Sequence, residues 1–499
     1  MRILQGSSIL VMGYNDSYKI DREQKQITIT GMEIGGHLIF DQDFVYPYPI
    51  HFRHCSFAGN FVIHTGTFKD ITFSNCQQGS YSIAINGGTF ADFSILGGCN
   101  IQADIKIQGG EFNGLSFQGG NVFGNQILIS DCIARTVAFF DSSFESTVSL
   151  FMANKIDFLL VKNSNMAELS FHAGDYRSVI VEAKSSITNL NISGGEYELL
   201  QIKTEYIKEL SVEKRSQNID LYLERIVLGQ LGKINAVFRG GKIGQMDFLP
   251  SYIHKDAILR FLNICMESLS FDGLVNYGQL GFSNLELTKD ISISNSDLGK
   301  SSFINSNFSG VSMNFEDSRI TDTFFSKGTF PQRVAKDDHQ QRQAFAQLKK
   351  INEAKGDYLE ANHFYAKEMN AFYRSISWKK HFWEKLNLGF NKFSNDHGQS
   401  WQLGLLVVIV VTSVFFWIYL LCLDVTLGSI YKPDDTTHFF RCLSYLPEFL
   451  NPVHRTDEIA KGIGAPLKPS ARLVEGISRI FIAFAIYQLI QAFRKHGKK

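Results

Sequence analysis

The feature that most constrains the fold of this chain is an internal repeat with a spacing of 22 residues. Three consecutive segments carry it: residues 66–75 (GTFKDITFSN), 88–97 (GTFADFSILG) and 110–119 (GEFNGLSFQG). Phe68, Phe90 and Phe112 occupy the same position in successive copies. A repeat that keeps its register along the chain indicates structural units that stack on one another.

Within each copy, apolar and polar residues alternate, which indicates short strands with one buried side. The same apolar-x-apolar unit returns further along the chain about every 10 or 11 residues, for example at Leu190/Ile192 and Leu200/Ile202. The chain has 43 Phe and 41 Gly but only 9 Pro. This composition favours strands that are joined by tight turns.

Two strands in each copy of the repeat predict a mainly β fold, a parallel β-helix (solenoid) of about 13 coils with about 4.8 Å between neighbouring coils. A single coil cannot bury its own apolar side, so the core forms only when coils stack. A β-sandwich or an ordinary barrel is the alternative. Neither of these folds needs a repeat that keeps register, and the solenoid is therefore favoured.

Changes in pattern along the sequence predict five regions. They are an N-terminal cap (1–50), the parallel β-helix (51–332), a helical hairpin connector (333–374), an amphipathic juxtamembrane helix (375–399) and a membrane module with two transmembrane helices (400–499). In the connector, Gly356 is expected to end one helix and Asp357 to cap the next.

Two apolar segments in the last region are long enough to cross a membrane. Residues 401–423 contain no charged residue, and the first charge after them is Asp424. As a helix they span about 34 Å, which exceeds the roughly 30 Å hydrocarbon core of a bilayer. Residues 473–493 form the second candidate, and an interfacial or re-entrant helix is the alternative for them. We expect a helical hairpin in the membrane.

Four polar residues interrupt the second apolar segment. Glu475 and Arg479 are spaced i, i+4 and are expected to pair on one helix face. Gln488 and Gln491 are expected to form a separate polar pair at i, i+3. Such groups are unfavourable against lipid and favour a helix with partners, either within the chain or around a shared lumen of several copies.

Aromatic residues and lysines interleave just before the first apolar segment, over residues 378–393. Trp378, Lys379, Lys380 and Trp383, together with Trp401, are predicted to anchor the chain at the membrane interface. The lysines would attract anionic lipid. A plain basic linker is the alternative interpretation of this stretch.

Cations precede the first apolar segment and follow the second. They are Lys379, Lys380, Lys385 and Lys392 before the first, and Arg494, Lys495, Lys498 and Lys499 after the second. Because positive flanks stay in the cytoplasm, we expect both termini there and the loop 424–472 outside. The N-terminus lacks the apolar stretch of a secretory signal, which agrees with a multi-pass protein of the cell (inner) membrane.

Part of the sequence resembles bacterial membrane proteins with pentapeptide-like repeats followed by a two-helix, ion-channel-like module. The matching residues are Phe345-Ala346-Gln347-Leu348-Lys349-Lys350, Gly356-Asp357-Tyr358, Ala361-Asn362, Phe364, Glu368-Met369, Ile486-Tyr487-Gln488 and Gln491-Ala492-Phe493-Arg494-Lys495. The resemblance implies a membrane pore module. The Thr-x-Gly-Tyr-Gly filter of potassium channels is absent, and Gly462-Ile463-Gly464 is the nearest glycine cluster.

The sequence contains no Gly-x-Ser-x-Gly, P-loop or His-Glu-x-x-His pattern. The seven cysteines include no Cys-x-x-Cys spacing, and Cys55, Cys76 and Cys99 are predicted to stack as reduced thiols in successive coils. The paired carboxylates Asp337-Asp338 and Asp434-Asp435 lie outside the repeat. We therefore expect neither an enzyme nor a bound cofactor or metal ion.

Charge and architecture narrow the function classes. Lys+Arg and Asp+Glu both number 49, so the net charge is zero, and this disfavours a nucleic-acid binder, which needs a basic surface. The leading hypothesis is a membrane-tethered cytoplasmic β-helix that serves as a recognition or scaffold module for a protein or polymer partner. The alternative is a homo-oligomeric two-span ion channel or pore that the β-helix gates, with Glu475, Arg479, Gln488 and Gln491 facing a shared lumen.

Overall fold

The structure is a computed structural model in which the chain divides into two compact units between Val334 and Ala335. The residues that it describes are 4–5, 18–21, 25–182, 184–204, 206–214, 221–229, 231–249, 251–308, 310–326, 330–331, 333–425, 436–455 and 457–494.

The first unit is built from parallel strands in two long sheets. Among the described residues, the first sheet contains 20 strands. They are β1 (Leu4–Gln5), β4 (Glu33–Ile34), β5 (Leu38–Phe40), β8 (Ser56–Phe57), β9 (Phe61–Ile63), β11 (Gln77–Gln78), β12 (Ile83–Ile85), β14 (Asn100–Ile101), β15 (Ile105–Gln108), β17 (Val122–Phe123), β18 (Ile127–Ser130), β20 (Ser143–Phe151), β22 (Asn165–His172), β24 (Ser186–Ile192), β26 (Tyr206–Glu213), β28 (Asn235–Arg239), β31 (Ile258–Leu262), β34 (Gln279–Ser283), β36 (Ser301–Ile304) and β38 (Phe324–Ser326).

The second sheet contains 16 strands within the same described ranges. They are β2 (Tyr18–Asp21), β3 (Gln26–Thr30), β6 (Val45–Tyr46), β7 (Ile50–Arg53), β10 (Thr67–Ser74), β13 (Thr89–Leu96), β16 (Glu111–Gln118), β19 (Ile133–Phe140), β21 (Lys155–Lys162), β23 (Asp175–Glu182), β25 (Gly195–Lys203), β27 (Leu221–Leu228), β29 (Lys242–Phe248), β32 (Cys265–Asp272), β35 (Glu286–Ser294) and β37 (Ser312–Glu316). A small parallel pair consists of β30 (Ser251–Ile253) and β33 (Leu274–Asn276).

Successive coils pair in the register that the sequence repeat predicts. Phe68 lies opposite Phe90, and Phe90 lies opposite Phe112. Their rings stack with centroids 5.0 and 4.7 Å apart. The predicted parallel β-solenoid is confirmed and has about 13 turns. Its core consists of the inward side chains of both sheets, which alternate with exposed or half-buried ones along strands such as β13 and β16.

Aromatic stacking continues at the other end of the solenoid. Phe238, Phe261, Phe282, Phe303 and Phe325 occupy paired positions of the first sheet. Their successive ring centroids are 4.6, 4.7, 4.8 and 5.1 Å apart. We call these five residues the phenylalanine ladder. Each ring buries a large apolar surface and stacks on its neighbours, so the ladder couples consecutive coils.

Asparagines occupy a repeated turn position in the same region. Asn263, Asn284 and Asn305 have φ of 54°, 53° and 54°, a left-handed conformation that asparagine tolerates better than most residues. Asn284 Nδ2 donates to Asn263 Oδ1 at 2.7 Å, and Asn305 Nδ2 donates to Asn284 Oδ1 at 2.6 Å. The turns therefore stack by side-chain hydrogen bonds as well as by the backbone.

The cysteines stack inside the solenoid as predicted. Cys55, Cys76 and Cys99 are buried, and the Cys76 backbone N–H donates to Cys99 Sγ at 3.3 Å. The pKa of the Cys55 thiol is raised, first by its side-chain hydrogen bond with Cys76 and then by burial. Burial likewise raises the pKa of Cys132 to about 12. These two thiols are therefore neutral at physiological pH and act as packing groups.

Coil pairing already begins inside the region for which the sequence predicts a cap. β3 pairs in parallel with β7, and β4 pairs in parallel with β8. β2 pairs with β3 in the antiparallel direction. Much of residues 1–24 lies outside the described residues, and the cap over residues 1–50 stays a prediction.

The second unit is helical. Its described helices are α1 (Asp338–Lys355), α2 (Tyr358–Ser375), α3 (Phe382–Asn395), α4 (Trp401–Cys422), α5 (Thr436–Ser444), α6 (Leu446–Leu450), α7 (Glu458–Ile463) and α8 (Pro469–Arg494). α1 and α2 form the predicted hairpin. Gly356 ends α1 with φ of 78°, and the Asp357 side chain accepts from the Glu360 N–H at 3.1 Å. Arg374 near the end of α2 bonds Asp338 at the start of α1 at 2.8 Å.

α4 and α8 are the two described helices that are long and apolar enough to cross a membrane. They pack antiparallel, because Trp401 stacks on Phe493 at 5.5 Å and Phe415 lies 5.3 Å from Phe481. Gly404 permits a close approach, since a Cβ at this position would lie 3.3 Å from the Cα of Leu489. Small residues at helix contacts of this kind are typical of membrane hairpins.

Candidate functional site

A buried ion cluster lies between α8 and the segment that joins the two apolar helices. Glu475, on α8, is fully buried, and its Oε1 lies 2.8 Å from Nη2 of Arg479 one turn later. This is the i, i+4 pair that the sequence predicts. A carboxylate that is removed from water needs such partners, because an unpaired buried charge is strongly unfavourable.

His454 completes the cluster, and the sequence analysis did not single it out. Its Nε2 lies 3.0 Å from Glu475 Oε1, and its Nδ1 lies 2.6 Å from the carbonyl oxygen of Asn451. Arg479 also donates to the His454 carbonyl oxygen at 2.6 Å. A single histidine within a long loop gives no periodic signal, so only the folded loop reveals its partner.

Aromatic packing brings the loop to this position. Phe449 on α6 is fully buried, and its ring lies 5.4 Å from both Phe416 and Tyr419 of α4. The same ring lies 5.8 Å from His454. The connection therefore folds back onto α4, one to two helical turns before that helix ends.

The two predicted glutamines have different surroundings. Gln488 is buried and accepts from Asn395 Nδ2 at 2.8 Å through its side-chain oxygen. Gln491 is exposed, and its Nε2 donates to Tyr487 Oη at 2.8 Å. The predicted Gln488–Gln491 pair is therefore wrong. The buried stripe of α8 includes Gln488 and Ala492, and Gln491 falls beside it on the exposed face.

The predicted interfacial residues are exposed on the helical unit. They are Trp378, Lys379, Lys380, Trp383 and Trp401, with Trp383 at 78% exposure. The neighbouring Lys385 differs, because its Nζ donates to the Ile376 carbonyl at 2.6 Å. Lys379 and Lys380 are therefore the lysines of this segment best placed to meet an anionic surface.

A half-buried apolar patch lies on the outer face of the second sheet. Its residues are Phe140, Phe158, Leu160, Ile180 and Leu199, on four neighbouring strands. We call this set the apolar patch. Leu160 and Ile180 lie directly opposite each other and alternate with fully buried valines and leucines. The sequence analysis missed the patch because its members fill the polar position of the alternation.

Charged residues border the apolar patch. Arg177 lies 3.3 Å from Asp157 and 3.6 Å from Glu198. On the other side, Lys162 lies 3.4 Å from Glu182. An apolar centre with a polar, charged border is the usual composition of a protein-binding surface.

The described residues contain no group of three or more His, Cys, Asp or Glu side chains arranged to hold a metal ion. The fold and the sites define a parallel β-solenoid protein whose helical unit includes two helices suited to a membrane. In comparisons with known proteins, the chain matches no protein-family model, no curated protein and no solved structure.

Proposed function

We propose that this protein is a membrane-tethered, non-enzymatic recognition or scaffold protein whose β-solenoid binds a protein partner in the cytoplasm. The observation that carries the proposal is the apolar patch with its charged border on the regular face of the second sheet. Apolar side chains that cluster on a surface and stay partly accessible to solvent, as these half-buried ones do, are typical of interaction surfaces.

The membrane attachment rests on the helical unit. α4 and α8 have the length and composition of membrane spans. The exposed Trp383, Lys379 and Lys380 before α4 suit the interface of an anionic membrane. The cations on both flanks favour cytoplasmic termini in a bacterial inner membrane. The resemblance to membrane-anchored pentapeptide-like repeat proteins supports the same arrangement.

Photo-crosslinking in native cells tests the recognition role. A photoreactive amino acid at Leu160 of the full chain is expected to give one discrete adduct with a protein. The matched control is the same amino acid at Ser292, at the equivalent outward position of the same sheet. The substitution Ile180→Asp should reduce the adduct at position 160 at least about tenfold, because it charges the centre of the patch.

Other results of this experiment count against the proposal. Equal adducts at positions 160 and 292 would show that the apolar patch does not bind the partner. An adduct that survives Ile180→Asp would show the same. If polysaccharide hydrolases, and not proteases, degrade the crosslinked partner, the partner is a polysaccharide and the proposed protein partner is wrong.

The second candidate is a homo-oligomeric two-span channel or pore that the solenoid gates. The exposed Tyr487–Gln491 hydrogen bond favours it, because polar groups on the outer face of an apolar helix are better satisfied against another copy than against lipid. Glu475 and Gln488 are buried within a single chain, so lumen-lining groups would come from the exposed face instead.

Two measurements separate the candidates. A channel predicts an oligomer of the full chain in mild detergent, and a conductance in planar bilayers that Gln491→Leu alters. A monomer that carries no current supports the tethered recognition module and excludes the channel.

A further inference from the structure

A groove of about 700 Å³ runs along the corner of the solenoid where the chain enters the second sheet. Its floor is formed by one residue from each of five successive strands, which pair in register: Glu196, Tyr222, Lys242, Cys265 and Glu286. Neighbouring strands are about 4.8 Å apart, so this row extends about 19 Å along the solenoid axis. The groove therefore offers a linear array of contacts, with one position in each coil.

The exposed turn asparagines form one wall of this groove. Asn263, Asn284 and Asn305 line it and are joined by their side-chain hydrogen bonds. We call these three residues the asparagine wall. An amide side chain has two N–H groups and two acceptor lone pairs, and Asn284 uses one of each toward its neighbours in the wall. The wall therefore leaves one N–H and one lone pair of this amide for a ligand, at a position that recurs from coil to coil.

The charges around the groove cancel. Among the described residues that line it, the carboxylates are Glu196 and Glu286, and the ammonium groups are Lys214 and Lys242. A nucleic acid or another polyanion needs an excess of cations, and a polycation needs an excess of carboxylates. Two charges of each sign provide neither excess, and this favours an uncharged ligand.

The spacing of the wall distinguishes between uncharged polymers. An extended peptide presents equivalent groups at every second residue, about 6.6–6.8 Å apart. Such a chain falls out of step with asparagines that are about 4.8 Å apart from coil to coil. A linear chain of pyranose rings advances by one ring over a length close to the coil spacing, and its hydroxyl groups both donate and accept. It can therefore repeat the same hydrogen bonds in successive coils.

Tyr222 adds an aromatic surface to the floor of the groove. Its side chain is 41% exposed, whereas its strand neighbours Leu221 and Leu223 are buried. The face of an aromatic ring is electrically negative, so it attracts the C–H groups on the face of a sugar ring. We propose that the groove binds a linear, uncharged polysaccharide, with Tyr222 stacked on one ring and the asparagine wall hydrogen-bonded to rings further along. This site shares no residue with the apolar patch, and the proposal is independent of the partner of that patch.

Binding of labelled oligosaccharides to the full chain in lipid nanodiscs tests the proposal. The probes are fluorescent hexasaccharides of β-1,4-linked glucose, mannose, xylose and N-acetylglucosamine. Nanodiscs replace detergent because many detergents carry sugar head groups that would compete for the groove. Fluorescence polarisation should show saturable binding of at least one hexasaccharide. Absence of saturable binding by every one of them would overturn the proposal.

Two variants place the ligand in the groove. Tyr222→Ala and Asn284→Gly should each weaken binding at least about tenfold, since each removes one kind of contact. Glycine adopts the φ of 53° at position 284 without strain, so this variant keeps the turn. The matched controls lie outside the groove: Tyr277→Ala, at a residue that is 66% exposed, and Asn295→Gly, at a turn residue with φ of 48°. They should change the affinity less than about twofold.

Other outcomes count against the proposal. Affinity that is unchanged in both groove variants would place the ligand elsewhere on the protein. If a neutral Ser-Thr dodecapeptide, a polyphosphate or a polyuronate competes for the groove and the hexasaccharides do not, the assignment to an uncharged polysaccharide is wrong. Circular dichroism verifies that each variant keeps its β-sheet signal. Tyr222→Ala decides the question if Asn284→Gly does not fold, because Tyr222 is only half-buried.

Discussion

Asn395 donates a hydrogen bond from Nδ2 to the side-chain oxygen of Gln488 at 2.8 Å, although 93 residues separate them along the chain. The same Nδ2 lies 2.9 Å from the Gln488 carbonyl oxygen, and Asn395 Oδ1 accepts from the Gly398 N–H at 2.8 Å. One side chain therefore joins the turn after α3 to α8. Both partners are buried, which makes the loss of either one costly.

Asn395→Ala is expected to lower the free energy of unfolding by about 1–3 kcal/mol, because a buried amide of Gln488 loses its donor. Thermal unfolding of the full chain in one detergent, followed by circular dichroism, measures the change. Gln491→Ala removes an exposed hydrogen bond on the same helix and should have a much smaller effect. Equal losses in the two variants would contradict this assignment.

Phe261→Ala removes the second ring of the phenylalanine ladder and leaves a gap between rings that are 4.6 and 4.7 Å away. Such a truncation in a packed core costs about 3–5 kcal/mol. Denaturant unfolding, monitored through the β-sheet signal, should show a lower midpoint. Tyr277→Ala is the control, because Tyr277 is 66% exposed. A shift no larger than that of the control would show that the ladder is not a source of stability.

The sequence predicted the solenoid because the repeat encodes its contacts directly. Phe68, Phe90 and Phe112 are equivalent in sequence, and equivalent residues of stacked coils lie next to each other. The Glu475–Arg479 pair was predictable for the same reason, since helical spacing alone brings these side chains together. Periodicity predicts contacts only within one regular element or between identical ones.

Contacts between dissimilar segments had no such signal. The partner of His454 depends on how the loop packs through Phe449, and the partner of Gln488 depends on where α3 ends. The predicted Gln488–Gln491 pair was wrong because Gln488 lies in the buried stripe of α8, whereas Gln491 lies on the exposed face of the helix. The apolar patch required knowledge of which strands lie side by side.

Asp92 provides a pH-dependent prediction. Burial, followed by repulsion from Asp70 directly opposite on the next strand, raises the pKa of Asp92 above its ordinary value. The folded state therefore binds more protons than the unfolded state near this pKa, and its stability falls as the pH rises through the acidic range. Asp92→Asn should remove this dependence.

At neutral pH, Asp92→Asn should also stabilise the fold by about 0.2–1 kcal/mol, because like charges no longer face each other across the strands. Asp157→Asn provides a contrast of opposite sign, since Asp157 lies 3.3 Å from Arg177 and loses a favourable partner. Unfolding curves at acidic and neutral pH measure both effects. Destabilisation by Asp92→Asn at neutral pH would refute the repulsion.

The ion cluster supports the last prediction. Glu475→Leu leaves Arg479 and His454 without their shared carboxylate, and breaking a buried ion pair on one side costs about 3–5 kcal/mol. Glu384→Leu, which removes an exposed partner of His381, should cost less than about 1 kcal/mol. Thermal unfolding in the same detergent compares the two variants.

Removing both partners of the carboxylate as well should reverse the loss. In Glu475→Leu with Arg479→Met and His454→Phe, neither a guanidinium nor an imidazole is left without the carboxylate, and the new side chains can pack against Phe449 and Tyr419. Replacement of a whole buried ionic group by apolar residues is often neutral or stabilising. The triple variant should therefore unfold at a higher temperature than Glu475→Leu alone. A triple variant that is less stable than the single one would show that the cluster holds the loop by its charges and that apolar packing cannot replace them.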